Sequence, residues 1–258
     1  MKDKVIVITG ASSGIGAALA TTLAERGARI VIAARREPEL TAVATRIGAN
    51  AHAVIADVSL RADNDRIRDA ALAKFGRLDV WVANAGRGIT RAPSQLTDDD
   101  IDEMMTTNFK SVLYGFQAAL PTFKTQKSGH IIAVSSMLGR ISFTPIRSAY
   151  SAAKAAVNSL MSSIRQELRT EFPDIHASTV LPGVVATDFG TAALHGGPDS
   201  RAFPNAQPVA EVATQIADLI ASPRAELYTR PEMRETAARF YAADDVGAIE
   251  AGFAMPRR

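Results

Sequence analysis

Short apolar runs and longer amphipathic stretches alternate along most of the chain. The apolar runs are rich in Val, Ile and Ala and mostly lack period-2 alternation, which is typical of strands covered on both faces. They predict strands at residues 5–9, 29–33, 51–55, 80–83, 130–135 and 176–181. The stretches between them predict helices at 14–26, 37–47, 64–75, 97–124 (broken), 149–171 and 209–221. This alternation predicts an α/β fold, a Rossmann-type doubly wound parallel sheet with helices on both faces.

One segment interrupts the alternation directly after the sixth predicted strand. Residues 188–208 are rich in Gly, Pro and small side chains. A loop of that length in a compact domain is usually functional or mobile, so we expect a mobile substrate loop here. We expect residues 1–258 to form a single domain that binds a dinucleotide and carries the catalytic groups. Residues 231–258 are expected to form a C-terminal tail.

The composition narrows the class of protein. The chain is 47% hydrophobic and 22% charged, as in an ordinary globular domain, and it has no cysteine. Disulfides, a thiolate nucleophile and cysteine zinc sites are therefore excluded, and we predict no metal site. No apolar run approaches the ~20 residues of a membrane span, so we expect a cytoplasmic protein without a membrane partner. The net charge of +2 comes from scattered arginines, which argues against nucleic acid as a partner.

A glycine-rich segment follows the first predicted strand and opens the first predicted helix. In this context Gly10 permits a tight turn, Gly14 lets a pyrophosphate approach the backbone, and Gly16 allows close packing. The helix N-terminus adds free N–H groups and partial positive charge. An ordinary glycine-rich turn is the alternative, but the flanking strand and helix favour a dinucleotide. The predicted cofactor contacts in this loop are Gly10, Ser12, Ser13, Gly14, Ile15 and Gly16.

The end of the second predicted strand indicates which nicotinamide cofactor binds. An NAD site would place an acidic residue there for the ribose 2′-OH, but the chain has Ala34 followed by Arg35 and Arg36. Two arginines suit a 2′-phosphate through charge-assisted contacts, so we predict NADP(H). Arg35 lies nearer the strand and is the preferred contact. One of the two arginines can instead be a solvated charge beside the helix.

A second group of residues has the chemistry of proton transfer. Tyr150 and Lys154 are four positions apart on a predicted helix, so they share one face. A nearby ammonium favours the phenolate and lowers the tyrosine pKa, so Tyr150 can exchange a proton with a carbonyl or alcohol oxygen. Alone, such a pair is more often surface chemistry than catalysis. Ser135 and Ser136 end the fifth strand at the edge where open α/β sheets place their sites, and Asn108 lies mid-helix, where asparagine is a poor helix former.

Taken in order, these motifs resemble the short-chain dehydrogenase/reductase family, in its compact single-domain branch. Thr-Gly-x-x-x-Gly-Ile-Gly and Tyr-x-x-x-Lys carry the resemblance, which spans about residues 4–187. It implies that Asn108, Ser136, Tyr150 and Lys154 form a catalytic tetrad. Asn108 would hold a water that links the lysine to solvent, and Lys154 would also bond the nicotinamide ribose. Ser136 would orient the substrate oxygen, with Ser135 as the less favoured alternative.

The resemblance also implies further cofactor contacts and two departures. The contacts are Asp57 and Val58 at the adenine, Asn84, Ala85 and Gly86 after the fourth strand, and Pro182, Gly183, Val185 and Thr187 at the carboxamide. Ala83 replaces the first residue of the family's usual Asn-Asn-Ala-Gly. Ser136 and Tyr150 are fourteen positions apart, one more than the family spacing, so residues 139–147 are expected to carry an insertion.

The resulting hypothesis is an NADP(H)-dependent oxidoreductase that interconverts a carbonyl and a secondary alcohol on a small organic substrate. A non-catalytic NADP(H)-binding regulatory protein of the same fold is the alternative, but it has no chemical need for all four tetrad residues. The resemblance implies a homo-dimer or homo-tetramer. Candidate substrate-pocket residues are Phe189, Leu194, His195 and Phe203 on one side, and Met137, Leu138, Phe143 and Ile146 on the other.

Overall fold

The strands form one parallel sheet. The computed structural model describes residues 1–253, and residues 254–258 of the predicted tail lie outside the described residues. In the described chain, seven strands pair in the order β3-β2-β1-β4-β5-β6-β7. They are β1 Val5–Thr9, β2 Arg29–Ala34, β3 Ala51–Ile55, β4 Val80–Ala83, β5 Gly129–Val134, β6 Ile175–Leu181 and β7 Glu226–Tyr228. The strand order reverses between β1 and β4, and ligands of open α/β sheets bind at such a reversal.

Helices connect successive strands. Over residues 1–253 they are α1 Gly14–Glu25, α2 Glu37–Ile47, α3 Arg61–Phe75, α4 Asp98–Met105, α5 Ser111–Gln126, α6 Ser148–Leu168, α7 Val209–Ala221, α8 Pro231–Tyr241 and α9 Val246–Phe253. A π-helical turn, Thr106–Lys110, joins α4 to α5 and is the break predicted in the long fourth helix. Within the described residues, no helix is both long enough and apolar enough to cross a membrane.

The core has two layers, one on each face of the sheet. Along β1, Val5 and Val7 pack into the layer covered by α3, α5 and α6. Ile6 and Ile8 pack into the layer covered by α1, α2 and α7. All five residues of β1 are buried, because both faces are covered. This is the physical reason that the apolar runs lack alternation, and it confirms the predicted fold class of a single doubly wound domain.

The structure differs from the sequence prediction at several boundaries. Strand β7 was not predicted, because it has only three residues and two of them are partly exposed. Helix α3 begins at Arg61 rather than at Asn64, whose buried amide donates to Val58 O and Leu60 O at 2.9 Å each and supports the first turn. Helix α6 ends at Leu168, three residues earlier than predicted.

The predicted substrate loop, residues 188–208, is tied to the rest of the fold. Leu194 bridges to Ile89, and Gln207 bridges to Val185. His195 Nε2 lies 2.7 Å from the carboxylate of Asp100, at the start of α4. These contacts hold the loop over the residues that follow β4. Its mobility stays a prediction.

The described part of the C-terminal tail packs on its own chain. Ala237, Met233 and Phe240 of α8 contact a small cluster that includes Met137 and Ile141, just after β5. The Tyr241 hydroxyl donates to Arg140 O at 2.6 Å, and Arg140 also pairs with Glu226 of β7. The tail therefore packs against the segment between Ser136 and Tyr150, where an insertion was expected.

Candidate active site

The glycine loop after β1 is closed against the end of β4. Gly10 and Gly14 have φ angles of +64° and +55°, which favour glycine. A Cβ on Gly10 would lie 2.7 Å from Ala85 Cα, and one on Gly16 would lie 2.6 Å from the Asn84 amide nitrogen. That amide donates to Thr9 O at 2.9 Å and to Gly10 O at 3.2 Å. Asn84 and Ala85 thus fix the shape of the loop.

The segment after β6 faces this loop from the other side. A Cβ on Gly14 would lie 3.3 Å from Thr187 Cγ2, and a cavity of about 400 Å³ lies between Ser13 and Gly14 on one side and Thr187 and Asp188 on the other. Helix α1 directs its first N–H groups, which have no partner inside the helix, toward this end of the sheet. A glycine cradle and free N–H groups at a helix N-terminus fit the pyrophosphate of a bound dinucleotide.

Arg36 and Arg35 lie at the end of β2 and make different contacts. Arg36 Nη2 donates to Ser13 Oγ at 2.7 Å and to Ser12 Oγ at 3.1 Å. Arg35 extends away from the loop, 64% exposed, with Nη1 3.7 Å from Asp57 Oδ2. The structure therefore brings Arg36, rather than the preferred Arg35, to the two serines.

The predicted adenine contacts lie in the turn after β3. Asp57 Oδ1 accepts a hydrogen bond from Ser59 N at 2.9 Å, and its other oxygen faces Arg35. Val58 packs into the core, and its carbonyl accepts from the Asn64 amide at 2.9 Å. Asp57 is thus beside the arginines, whereas the Val58 side chain points into the protein.

At the opposite end of the cradle, the predicted carboxamide segment is held by backbone bonds. Pro182 O accepts from Met137 N at 2.9 Å, and Thr187 N donates to Val185 O at 2.8 Å. The Val185 side chain is buried in the core. Gly183 lies directly under Met233 of α8, with no room for a Cβ between them. Sequence reasoning missed Met233, because nothing in the local sequence of the tail indicates this contact.

The four predicted catalytic residues converge at the carboxyl edge of the sheet. All are buried: Asn108 is 0% exposed, Lys154 3%, Tyr150 7% and Ser136 8%. Lys154 Nζ donates to Val134 O at 2.8 Å and lies 5.7 Å from the centre of the Tyr150 ring. A Cβ on Gly86 would lie 2.9 Å from Asn108 Oδ1 and 3.4 Å from Lys154 Nζ. Gly86 is therefore the point at which Asn108 and Lys154 meet.

Asn108 is fixed by the π-helical turn that contains it. Its Nδ2 donates to Arg87 O at 3.0 Å and to Met104 O at 3.1 Å, and its Oδ1 accepts from Arg87 N at 3.1 Å. The amide thus bonds both backbone groups of Arg87, one residue after Gly86. A π-helical turn inside an α-helix often marks a functional site, and this one places Asn108 against the lysine.

Ser135 and Ser136 are distinguished by where their hydroxyls point. Ser135 Oγ donates to Lys154 O at 3.2 Å, a bond to the backbone of α6. Ser136 Oγ accepts from Leu138 N at 3.1 Å and lies close enough to the Tyr150 side chain to act on its pKa. Ser136 therefore faces the tyrosine hydroxyl, whereas Ser135 holds the helix to the strand.

The electrostatics of the site differ from the sequence prediction in one respect. Burial raises the pKa of Tyr150 to about 12, although the Ser136 hydrogen bond and the charge of Arg147 act in the opposite direction. Burial lowers the pKa of Lys154 to about 8. The expectation that Lys154 brings the tyrosine pKa down is not met in this arrangement, because desolvation of the phenol outweighs the nearby charges.

Apolar side chains surround the tyrosine. Leu138, Phe189 and Leu194 pack with Tyr150, and the Phe189 ring lies 5.5 Å from the Tyr150 ring in an edge contact. Met137 and Phe143 pack instead with α8, Ile146 is 39% exposed, and Phe203 follows the short 3₁₀ turn Ser200–Ala202. His195 pairs with Asp100 rather than facing Tyr150. Three of the eight candidate pocket residues therefore line the catalytic tyrosine.

Arg147 lies beside these residues and was not among the predicted site residues. It is three positions before Tyr150 but lies outside the predicted helix 149–171, so the helical pattern gave no signal for it. Over residues 1–253, no group of three or more metal-ligating side chains gathers at this or another place.

Together, the glycine cradle at the reversal of the strand order and the Tyr150–Lys154 pair at the same edge define a nicotinamide-dependent type of oxidoreductase site. A model of the family described as short chain dehydrogenase matches residues 4–196. The chain belongs to this family.

Relatives and solved structures agree. An uncharacterized oxidoreductase of Listeria monocytogenes is 42% identical over 191 residues, covering 73% of this chain and 77% of that protein. A short-chain dehydrogenase/reductase of Burkholderia phymatum, solved with NAD, superposes with a TM-score of 0.87 at 26% identity, covering 100% of this chain and 98% of that one. An alcohol dehydrogenase of Thermococcus sibiricus, solved with 5-hydroxy-NADP, gives a TM-score of 0.77 at 28% identity, covering 88% and 96%.

Proposed function

We propose that the protein is an NADP(H)-dependent oxidoreductase that interconverts a carbonyl and a secondary alcohol on a small organic molecule. The observation that carries this proposal is the convergence of Tyr150, Lys154, Ser136 and Asn108 beside Gly86, next to the glycine cradle. A regulatory protein that only binds the dinucleotide would not need a buried lysine and tyrosine at this point. Burying such groups costs stability, which favours a catalytic role.

Tyr150 acts as the proton donor to the substrate oxygen, and the nicotinamide, when bound, supplies the hydride. The phenol is protonated at neutral pH, so Tyr150 is in the form that reduction of a carbonyl requires. The Ser136 hydroxyl lies beside the phenol and bonds the same substrate oxygen, which fixes that oxygen for the transfer.

Lys154 assists the proton transfer from Tyr150. Its bond to Val134 O fixes the ammonium, and its two remaining N–H donors are available for the ribose hydroxyls. Because burial lowers the pKa of Lys154 to about 8, the ammonium is largely charged at pH 7. Asn108 positions the backbone around Gly86, and a water held at this turn completes the proton path from lysine to solvent.

The preference for NADP(H) rests on the residues after β2. Ala34 ends the strand where an NAD enzyme would place an acid, and Arg36 lies within hydrogen-bond distance of Ser12 and Ser13. A 2′-phosphate there can accept from the guanidinium and from both hydroxyls, with Arg35 adding charge from the exposed side. Assembly as a homo-dimer or homo-tetramer and a cytoplasmic location stay predictions.

The reaction is tested by following nicotinamide absorbance with NADPH or NADH over a panel of ketones, aldehydes and secondary alcohols. We expect NADPH oxidation with carbonyl compounds, and a loss of about 10³-fold or more in Tyr150→Phe with unchanged NADPH affinity. Tyr114→Phe, on α5, is the matched control and should keep full activity. Tight NADPH binding with no turnover of any compound would support the regulatory alternative instead.

Cofactor choice is tested separately with Arg36→Ala. We expect the KM for NADPH to rise by roughly 10- to 100-fold, and the KM for NADH to stay unchanged. Arg29→Ala, at the other end of β2, is the control because Arg29 pairs with Asp3 at the opposite edge of the sheet. A wild-type preference for NADH would show that the NADP(H) assignment is wrong.

A further inference from the structure

Arg147 lies beside the candidate active site, and its guanidinium has few hydrogen-bond partners. It ends the 3₁₀ turn Pro145–Arg147 and directly precedes α6, three residues before Tyr150. The side chain is half-buried, and its Nη1 donates to Ile89 O at 3.0 Å. A guanidinium carries five N–H donors, so this one bond leaves most of its capacity unused.

Two glycines lie against the guanidinium. A Cβ on Gly88 would lie 2.6 Å from Arg147 Nη1 and 3.0 Å from Phe189 Cε1, and one on Gly197 would lie 3.0 Å from Arg147 Nη2. Arg147 is thus seated between the segment after β4 and the substrate loop. Phe189, which touches the same glycine, is the ring that packs against Tyr150. The Arg147 guanidinium and the Tyr150 phenol therefore both lie next to Phe189.

The neighbouring arginines are paired, whereas Arg147 is not. Arg87 lies 3.4 Å from a carboxylate oxygen of Glu103, and Arg91 lies 2.7 Å from Asp100. Arg147 has no carboxylate within ion-pair distance among residues 1–253. Burial lowers its pKa, and Tyr150 is the group that acts on it in the opposite direction. A half-buried charge without a partner is costly, so its retention beside the reacting groups indicates an anion that arrives with the substrate.

A hydroxyl without a partner lies next to it. Thr90 Oγ1 is buried and makes no hydrogen bond within the described part of the chain. The Cβ position of Gly197 is 2.7 Å from Gly190 O, 2.8 Å from this hydroxyl and 3.0 Å from Arg147 Nη2, so the hydroxyl and the guanidinium both lie against the Gly197 backbone. A guanidinium with free N–H donors is a common binding group for a carboxylate.

We propose that Arg147 binds a carboxylate of the substrate, so that the protein reduces an oxo acid to the corresponding hydroxy acid. This inference rests on the proposed function. The carbonyl carbon gains a hydride from NADPH and its oxygen gains the proton of Tyr150, so the products are the hydroxy acid and NADP⁺. Arg147 fixes one end of the substrate while Tyr150 and Ser136 fix the other.

The test compares charged and neutral substrates of the same shape. The acids are 2-oxo-, 3-oxo- and 4-oxopentanoate, each paired with its amide, and the variants are Arg147→Met, Arg147→Lys and Arg169→Met. Arg169 is exposed at the far end of α6 and is the matched control. We expect the wild type to prefer one acid over its amide, and Arg147→Met to lower kcat/KM for that acid by roughly 10- to 100-fold, chiefly through KM. The amide should change less than about threefold, and Arg147→Lys should recover part of the loss.

Binding of the matching hydroxy acids to the enzyme–NADPH complex, followed by calorimetry, separates the two proposals. Arg147-dependent binding without any turnover would support the carboxylate site and contradict the proposed reaction. Turnover with no preference for acids, or equal losses for acid and amide in Arg147→Met, would overturn the carboxylate site and leave the proposed reaction standing. If no hydroxy acid binds and no carbonyl compound reacts, both are overturned.

Discussion

The two ends of strand β5 both bury polar side chains but use them differently. Near the amino end, His130 Nε2 lies 2.7 Å from Ser178 Oγ on β6, and that hydroxyl donates to Arg224 O at 2.6 Å. Beyond the carboxyl end, the buried side chains of Ser136 and Tyr150 lie next to each other. The first cluster connects strands, whereas the second lies at the edge of the sheet where we propose that the substrate binds.

This difference separates stability from function within one strand. His130 is 4% exposed and Ser178 is 0% exposed. The hydrogen bond between them therefore replaces the hydrogen bonds to water that both side chains lose on burial. At the other end, the Lys154 ammonium has one backbone acceptor and is otherwise arranged for a ligand. Functional sites often retain groups that the fold alone would not favour. Substitutions at the two ends should therefore have opposite effects. At the carboxyl end they should lower activity with little change in stability, and at the amino end they should lower stability with unchanged activity.

The largest expected effect is at the carboxyl end. Lys154→Met should lower kcat/KM by about 10³-fold, because the ammonium that is proposed to bind the ribose and to relay the proton is gone. The melting temperature should stay within about 3 °C, because the change also removes a charge that burial disfavours. Steady-state kinetics and thermal melting measure both, with Lys74→Met on the exposed face of α3 as control. Full activity combined with a large loss of stability would contradict the proposal that the carboxyl end of β5 serves function rather than stability.

At the amino end, the effect should appear in stability and depend on pH. Burial, with smaller contributions from His176 and Lys4, lowers the pKa of His130 to about 3. The unfolded chain binds this proton near pH 6.5 while the folded protein does not. Stability should therefore fall as the pH drops below 6.5, by about 1.4 kcal/mol per pH unit for this group.

His130→Leu should remove that dependence. Urea unfolding at pH 7.5 and pH 5 should show a wild-type loss of about 2 kcal/mol from this group, which the variant lacks. The variant should be less stable at pH 7.5 by about 1 kcal/mol, because the hydrogen bond to Ser178 is gone, while kcat/KM is unchanged. His52→Gln on β3 is the control. An identical pH dependence in His130→Leu would show that other groups cause the acid sensitivity.

A smaller effect tests the packing between the tetrad residues. Gly86→Ala places a Cβ against Asn108 Oδ1 and Lys154 Nζ, so we expect kcat to fall by roughly 10-fold through displacement of the lysine. Gly252→Ala is the matched control, because a Cβ there meets nothing within 4 Å. Crystal structures of Gly86→Ala should show the ammonium displaced. Unchanged kinetics would mean that the site tolerates such a shift.

The smallest effect concerns the substrate loop. The hydrogen bond from His195 is the largest of the contacts that hold the pKa of Asp100 well below its usual range, but Leu194 also anchors the loop by backbone bonds to Gly88 and Thr90. His195→Ala should therefore raise the substrate KM only about threefold. Trypsin cleavage after Arg201 in the loop should become faster, with His52→Ala as control. Equal cleavage rates would show that the bond to Asp100 does not restrain the loop.

Much of the fold and of the site is local in sequence and could therefore be predicted. The glycine spacing, the Tyr150–Lys154 interval and the apolar runs each report short-range geometry, because helix and strand periods decide which side chains share a face. All six predicted strands follow from these patterns, whereas the set of Asn108, Ser136, Tyr150 and Lys154 came from the resemblance to the family. Strand β7 could not be predicted, because three residues carry too little periodic signal.

Other features depend on segments far apart in the chain. The sequence by itself determined the parallel sheet, the cradle and the residues of the tetrad. Only the tertiary structure decided that Arg36 rather than Arg35 meets the serines, that desolvation sets the pKa of Tyr150, and that Arg147 lies between Gly88 and Gly197. The reason is that burial and the distance between charges arise when distant segments pack together, and no local pattern encodes them.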